Sequence, residues 1–227
     1  MAPIDGIINL DKPAGISSAQ AVNRLKRLLP PKTKVGHAGT LDPFATGVLV
    51  ILIGKATRLC EMVMNQPKAY QATVRLGGTT ATDDPESAVV PTPGAVEIDA
   101  ATVAEAVRKF IGPIMQRPPA FSAIKVGGRR AYKQARRGQI VELAERQVRI
   151  DDIRIDAYQW PDLKLTIECG RGAYIRAIAR DLGAALGVGG YLTELRRIRV
   201  GEFFAAEAVT LDRLAEPGVL LASLRHL

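Results

Sequence analysis

The sequence is poor in the residues that build covalent or metal-based sites: its 227 residues include two cysteines, two histidines and one tryptophan. Cys60 and Cys169 lie far apart with no ligand-like neighbours, so neither a disulfide framework nor a zinc site is indicated. His37 and His226 are too few for a histidine-based centre, so no metal is expected. Long apolar runs are missing as well. The longest, Val48 to Ile53, falls far short of the roughly 18 residues that cross a bilayer, and no membrane partner is expected. The first residues, Met-Ala-Pro-Ile-Asp-Gly, place an acid where a secretory signal places positive charge, which predicts a cytoplasmic protein. Neither G-x-x-x-x-G-K-[ST] nor a G-x-G-x-x-G after a strand is present to bind nucleotide phosphates, and there is no G-x-S-x-G elbow. The H-x-E and P-C-x-x-C ligand set of base deaminases is missing too. What remains for an enzyme is chemistry without cofactor or metal, with a carboxylate as nucleophile.

Against these absences stand a globular composition and an uneven charge. Hydrophobic residues make up 47% of the chain, enough to fill one large domain or two small ones sharing a core. The net charge is +8. Between Lys12 and Leu41 there is no acid but six bases: Lys12, Arg24, Lys26, Arg27, Lys32 and Lys34. From Ala106 to Val141 there is again no acid, and nine bases: Arg108, Lys109, Arg117, Lys125, Arg129, Arg130, Lys133, Arg136 and Arg137. The rest of the chain is mildly acidic. A basic face is commonly mere solvated surface, yet acid-free windows beside a Gly-rich loop point to a polyanion partner.

Patterning predicts a short buried strand over 6–10, then a helix capped by Ser17 or Ser18 and running to about Leu29, where Pro30 and Pro31 stop it. Residues 34–46 read as a loop, 48–53 as a central strand, 55–64 as helix and 69–76 as strand. A loop over 79–94 precedes an amphipathic helix over 101–110. The stretch 112–138 reads as a flexible basic insertion outside the core, with Arg129, Lys133, Arg136 and Arg137 on a short helix facing a partner. Leu163, Leu165, Ile167 and Cys169 alternate with polar residues as a half-buried strand does. From Tyr174 the period becomes helical: Ile175, Ile178, Leu182 and Leu186 form an apolar stripe, with Arg176 and Arg180 away from it. Without a regular βαβ rhythm, the fold class is α+β rather than doubly wound. No repeat or linker divides residues 1–227.

The strongest local signal is the loop Gly36-His37-Ala38-Gly39-Thr40-Leu41-Asp42-Pro43-Phe44-Ala45-Thr46-Gly47. Its glycines permit sharp turns, and Pro43 biases Asp42 toward an extended conformation that presents the carboxylate ahead of a buried strand. Alone, Asp42 would be an ordinary Asp-Pro turn residue. The constellation changes that. Gly6-Ile-Ile-Asn-Leu-Asp-Lys-Pro-Ala-Gly-Ile-Ser-Ser18, the Asp42 loop, Lys68-Ala-Tyr70, Pro119-Ala-Phe-Ser-Ala-Ile-Lys125, Gly172-Ala-Tyr-Ile-Arg176 and Leu195-Arg-Arg-Ile-Arg199 occur in the order seen in bacterial tRNA pseudouridine synthases of the TruB family. The chain resembles that family over nearly its whole length.

The resemblance implies a pseudouridine-synthase-like fold, with a mixed, largely antiparallel central sheet flanked by helices and a basic insertion. It implies isomerisation of the uridine at position 55 in the tRNA T-loop. Asp42 would be the nucleophile, Tyr70 would stack on the target base and serve proton transfer, and Arg176 would pair with the catalytic carboxylate. His37 would enter the T-loop in place of the flipped nucleotide, while Tyr174, Leu195 and Lys12 would contact substrate. Lys125, Arg129, Arg130, Lys133, Arg136 and Arg137, with the first basic window, would meet phosphates of the T-arm. No cofactor and no obligate protein partner are implied, and a monomer is expected. Familiar members carry a further C-terminal domain, often of PUA type; here it is expected to be absent or vestigial. In Thr80-Ala-Thr-Asp-Asp84, Ala81 stands where many relatives carry Asp, which leaves Asp84 as the residue to watch. A non-catalytic RNA binder would have no need of an acid in a polyanion cleft, and an aspartate-nucleophile hydrolase of small substrates would not account for the basic windows.

Overall fold

Every residue from Gly47 to Ile53 is buried in the computed structural model, as a continuous apolar run requires of a central strand. The structure describes residues 4–122, 125–126, 129–130 and 143–225. It divides into two compact units, Met1–Gln71 with Leu195–Leu227, and Ala72–Glu194. Both chain crossings fall inside β-strands, which is why no linker composition marks them. The architecture is α+β: a mixed, mostly antiparallel sheet flanked by helices. Among the described residues no helix is long and apolar enough to cross a membrane.

In the first unit, β1 (Gly6–Lys12) runs antiparallel to β3 (Thr46–Ile53), in register from Gly6 opposite Ile53 to Lys12 opposite Gly47. β2 (Val35–His37) pairs antiparallel with the far end of β3, and β12 (Gly190–Val200) pairs parallel with its near end through Arg196 and Arg197. Gly47 has φ +99°, and a side chain there would collide with the Arg197 backbone, so this contact demands glycine. Helix α1 (Ser18–Lys26) carries a reciprocal cap in which Ser17 and Gln20 each accept the other's backbone N–H. Ala21, Val22 and Leu25 form its buried stripe. A 3₁₀ turn (Gly54–Leu59) leads into α2 (Cys60–Asn65), whose last carbonyls are closed by Lys68 donating to Met64 and Gln66.

In the second unit the sheet order is β12, β4 (Lys68–Leu76), β11 (Asp162–Cys169), β10 (Arg146–Gln159) and β7 (Gly112–Gln116). Helix α3 (Ala100–Arg108) is capped by Asp99, and α4 (Ile175–Ala185) buries Ile175, Ile178 and Leu182 as its stripe requires. At Gly183 any Cβ would strike the backbone of Gly189 and Gly190, so this helix meets the start of β12 without a side chain between them.

Several expectations need correction. Residues 35–37 are strand, not loop, and β5 (Gly78–Thr80) pairs with β6 (Val89–Pro91) inside the stretch read as loop. Helix α1 ends at Lys26, with Leu28 and Leu29 in the turn that follows. Gly112–Gln116 belongs to the sheet: β7 pairs with β10 from Arg146 opposite Gln116 to Ile150 opposite Gly112, so the basic stretch begins only after it. Strand β10 itself has no counterpart in the sequence reading. Its alternation is broken by register shifts between Ile150 and Asp152 and between Ile155 and Ala157, which move Ile153 and Ile155 out of step with Val148 and Ile150. β8 (Lys125–Val126) pairs with β9 (Arg129–Arg130); Lys133, Arg136 and Arg137 lie outside the described residues.

Candidate active site

The Asp42 loop connects β2 to β3 and is fixed through its backbone. Ser18, the first residue of α1, accepts the Leu41 N–H at 2.8 Å and donates to the Leu41 carbonyl at 3.0 Å. Arg197, 1% exposed on β12, donates to Val48 O at 2.7 Å, Gly39 O at 3.0 Å and Thr40 O at 3.4 Å. Lys12, fully buried at the end of β1, donates to Pro13 O and Ile16 O at 2.8 Å and to Pro43 O at 3.3 Å. Gly15 N donates to Pro43 O, and Ala45 N to Asp42 O, closing the turn. From Gly39 to Pro43, then, each residue has a backbone group held, while the Asp42 residue stays half-buried. Charged hydrogen bonds contribute about 1.5–3 kcal/mol each, yet sinking a cation costs several kcal/mol. With the two terms of similar size, the arrangement fixes the course of the loop backbone more than it adds stability.

Lys12 therefore differs from the expectation that it would meet substrate or phosphate. Its position in register with Ile8 and Leu10 on a buried strand turns its ammonium onto the chain's own carbonyls. Leu195 lies two residues before Arg197 on the same strand and is buried, and Tyr70 is 7% exposed near the start of β4. His37 ends β2, part-buried, with its carbonyl facing the Cys60 thiol.

In the second unit the site residues cluster at the start of α4. Arg176 is 2% exposed, although the helical period places it off the apolar stripe. It pairs with Asp84 at 3.2 Å, both side chains 2% exposed, and donates to Thr82 O and Phe121 O at 2.8 Å. Asp84 also accepts from Thr82 Oγ1 at 2.5 Å and from Glu86 N at 3.0 Å, so the carboxylate has partners on both oxygens. One turn on, Arg180 binds Asp83 at 3.1 Å and the Arg117 carbonyl at 2.8 Å. Burial pushes the Asp83 carboxyl above its ordinary value, against the pull of Arg180 and Arg176. The two guanidiniums thus clamp the 82–84 loop and the segment 117–121 to one helix.

Tyr174 caps that helix and is itself held. The Gln116 amide, 1% exposed, donates to Tyr174 O at 3.1 Å and accepts its N–H at 2.8 Å, so one side chain replaces a strand partner. Arg146, directly opposite Gln116 in the β7–β10 pairing, lies over the Tyr174 ring at 5.2 Å and donates to Gly172 O. Asp84 was flagged by the sequence; the roles of Ser18, Gln116, Arg146 and Arg197 were not. Lys12 carried a usable signal in its core parity, whereas Gln116 and Arg146 become neighbours only through a pairing that the sequence does not announce. Among the described residues no group of three or more His, Cys, Asp or Glu side chains is placed to hold a metal.

Comparisons with known proteins place the chain in a family. Residues 26–175 match the model of the TruB family pseudouridylate synthase N-terminal domain, and residues 176–223 that of the tRNA pseudouridylate synthase B C-terminal domain. A protein of Mycobacterium sp. (strain KMS) named tRNA pseudouridine synthase B is 51% identical over 96% of this chain and 75% of its own length. The protein of that name from Thermobifida fusca is 47% identical, over 93% of this chain and 74% of its own. Among solved structures, a Cbf5-Nop10-Gar1 complex contains a chain 30% identical with a TM-score of 0.71, covering 92% of this chain; this chain spans 53% of that one. An H/ACA RNP bound to a substrate RNA containing 2′-deoxyuridine contains another, 28% identical with a TM-score of 0.68. The chain belongs to the TruB family of pseudouridylate synthases, and the enzyme is an isomerase.

Proposed function

We propose that the chain isomerises a tRNA uridine, the one at position 55 of the T-loop, to pseudouridine, with Asp42 as nucleophile on a flipped-out nucleotide. The observation that carries this is the Asp42 loop, whose backbone is held by Ser18, Lys12 and Arg197. A solvent-facing turn would not need two buried cations. The relatives' names supply the substrate, tRNA.

The chemistry fits a cofactor-free site. The N1–C1′ bond breaks, the uracil turns, a C5–C1′ bond forms, N1 gains a proton and the C5 hydrogen leaves to solvent; no electrons are gained or lost. Attack at C1′, attack at C6 and removal of a sugar proton all start from the same ionised carboxylate beside the nucleotide. Arg176 would favour that charged form and orient it, itself steadied by Asp84. Tyr70 would supply the face that offsets unstacking and take part in proton transfer. Tyr174 and Leu195 would line the pocket, and His37 would fill the space left in the T-loop. Lys125, Arg129, Arg130, Lys133, Arg136 and Arg137 would contact T-arm phosphates. The enzyme would act as a monomer in the cytoplasm.

The test is tritium release from C5-labelled uridine in tRNA transcripts. Release by the wild-type protein is expected, with none from Asp42→Asn and none when the T-loop uridine is replaced by cytidine. Release that survives the cytidine replacement would overturn the position assigned, and silence of the wild type despite tRNA binding would leave a binder.

A further inference from the structure

The segment that leads into α4 is tied to two sheet strands at every second residue. Gly170 N donates to Arg149 O at 3.0 Å, Gly172 O accepts from the Arg146 guanidinium, and the Tyr174 N–H and carbonyl both meet the Gln116 amide. Gly172 takes φ +93°, and a Cβ there would come within 3.5 Å of that guanidinium, so the turn passes close under Arg146. These bonds fix the backbone up to Tyr174. They do not fix its ring, because the χ1 and χ2 torsions remain to be chosen.

Arg146 supplies the missing constraint. Its guanidinium carbon lies 5.2 Å from the centroid of the Tyr174 ring, within the range of a cation–π contact, while the bond to Gly172 O anchors the same group two residues upstream. Its Nε is buried and meets no acceptor. An unpaired buried N–H costs stability, so hydrogen bonding alone would not select this place for the group. The other two arginines of β10 behave as ordinary surface residues: Arg149 and Arg154 are exposed and bound to Asp151 and Asp156. Arg146 is half-buried, and its described contacts are with the turn and the ring.

We propose that Arg146 is a positioning residue for the isomerisation: by covering one face of Tyr174 it locks the ring's rotamer, so that only the opposite face or the edge is offered to the nucleotide. The inference rests on the function proposed above, which puts Tyr174 in the nucleotide pocket, and assigns a role there to a residue that touches no substrate itself. It also divides the work of one strand pair. Gln116 and Arg146 stand opposite each other in the β7–β10 register; the first holds the backbone of Tyr174 and the second holds its side chain. A misdirected ring would still let RNA bind but would seat the uracil wrongly for reaction, so the loss belongs in kcat.

The test is a double-mutant cycle read by uridine conversion in a T-arm hairpin, with Arg154→Gln as a control on the same strand. Arg146→Met is expected to lower kcat about tenfold while KM stays within about twofold. Arg146→Lys should recover part of the loss, since an ammonium keeps the charge but not the planar fork that spans ring and carbonyl. In a Tyr174→Leu background, where no ring is left to hold, Arg146→Met should cost less than about twofold more. In Tyr174→Phe, which keeps the ring, it should cost as much as in wild type. Full additivity with Tyr174→Leu, or a rise in KM with kcat unchanged, would overturn the proposal. A second readout needs no activity. Protein labelled with 3-fluorotyrosine carries five fluorine signals, one per tyrosine, and the one lost in Tyr174→Phe belongs to residue 174. Arg146→Met should move that signal and leave the others in place; an unmoved signal, or a shift of all of them, would contradict the assignment. Failure of the wild type to convert uridine would sink the function, while the fluorine spectrum would still decide whether Arg146 fixes the ring.

Discussion

The Asp42 loop and the turn from Tyr174 to Arg180 are both immobilised by buried cations, but the cations meet different partners. At the Asp42 loop, Arg197 donates to three backbone carbonyls, and Lys12 donates to three more. On α4, Arg176 and Arg180 face Asp84 and Asp83. Neutral dipoles around a cation leave dipoles behind when the cation is removed; a buried ion pair leaves a charge. The second loss is larger in a low-dielectric site. The first unit thus holds the backbone of the Asp42 loop with cations on carbonyls, and the second fixes guanidiniums by balancing them.

That contrast can be broken experimentally, beginning where the effect is greatest. Arg176→Met strands the Asp84 carboxylate and is expected to destabilise the protein by about 3–5 kcal/mol, read from urea unfolding. Adding Asp84→Asn should restore much of the loss; a single variant within 1 kcal/mol (about the error of such a comparison) would deny that the pair is balanced as described. Arg197→Met forfeits three bonds yet relieves a buried charge. Its expected cost is smaller, about 1–3 kcal/mol, while product formation falls on the order of 100-fold because the Asp42 turn loosens. A larger stability loss than for Arg176→Met would reverse the comparison.

Gln116→Met should cost about 1–2 kcal/mol and raise KM more than it lowers kcat, since Tyr174 loses both backbone bonds but Arg146 still covers its ring. The smallest effect is one of pH. Because burial raises Asp83 above its unfolded value, the folded protein holds that proton more tightly, and stability from this group falls as pH rises through the window between the two values. Wild type should therefore gain on Asp83→Asn as the medium is acidified from neutral toward pH 4, in paired urea midpoints. A loss on acidification would mean that Arg180, not burial, governs the group.

Much of the frame was legible in the residues themselves. The run at 48–53, the alternation at 163–169 and the stripe at 175, 178 and 182 became the strands and helix that their periods imply. What escaped was non-local. β10 hid behind two register shifts, and the burial of Arg176 depends on a carboxylate 92 positions away in the chain. Ser18 could be read as a cap, but Ser17 does the capping and Ser18 reaches Leu41. Similarly, Lys12 counted as surface charge until its strand turned it inward. Motif order singled out Asp42; the structure shows how the backbone of its loop is held.

The most direct measurement is single-turnover conversion of a T-arm stem-loop by excess enzyme, comparing wild type with Asp42→Asn after both are shown to bind the RNA. The wild type is expected to convert the target uridine fully, while Asp42→Asn, with affinity within about threefold (well under 1 kcal/mol), yields no pseudouridine in the same time. Product formed by Asp42→Asn at a rate comparable to wild type would contradict the account, because the carboxylate that this loop is built to aim would then have no part in the reaction.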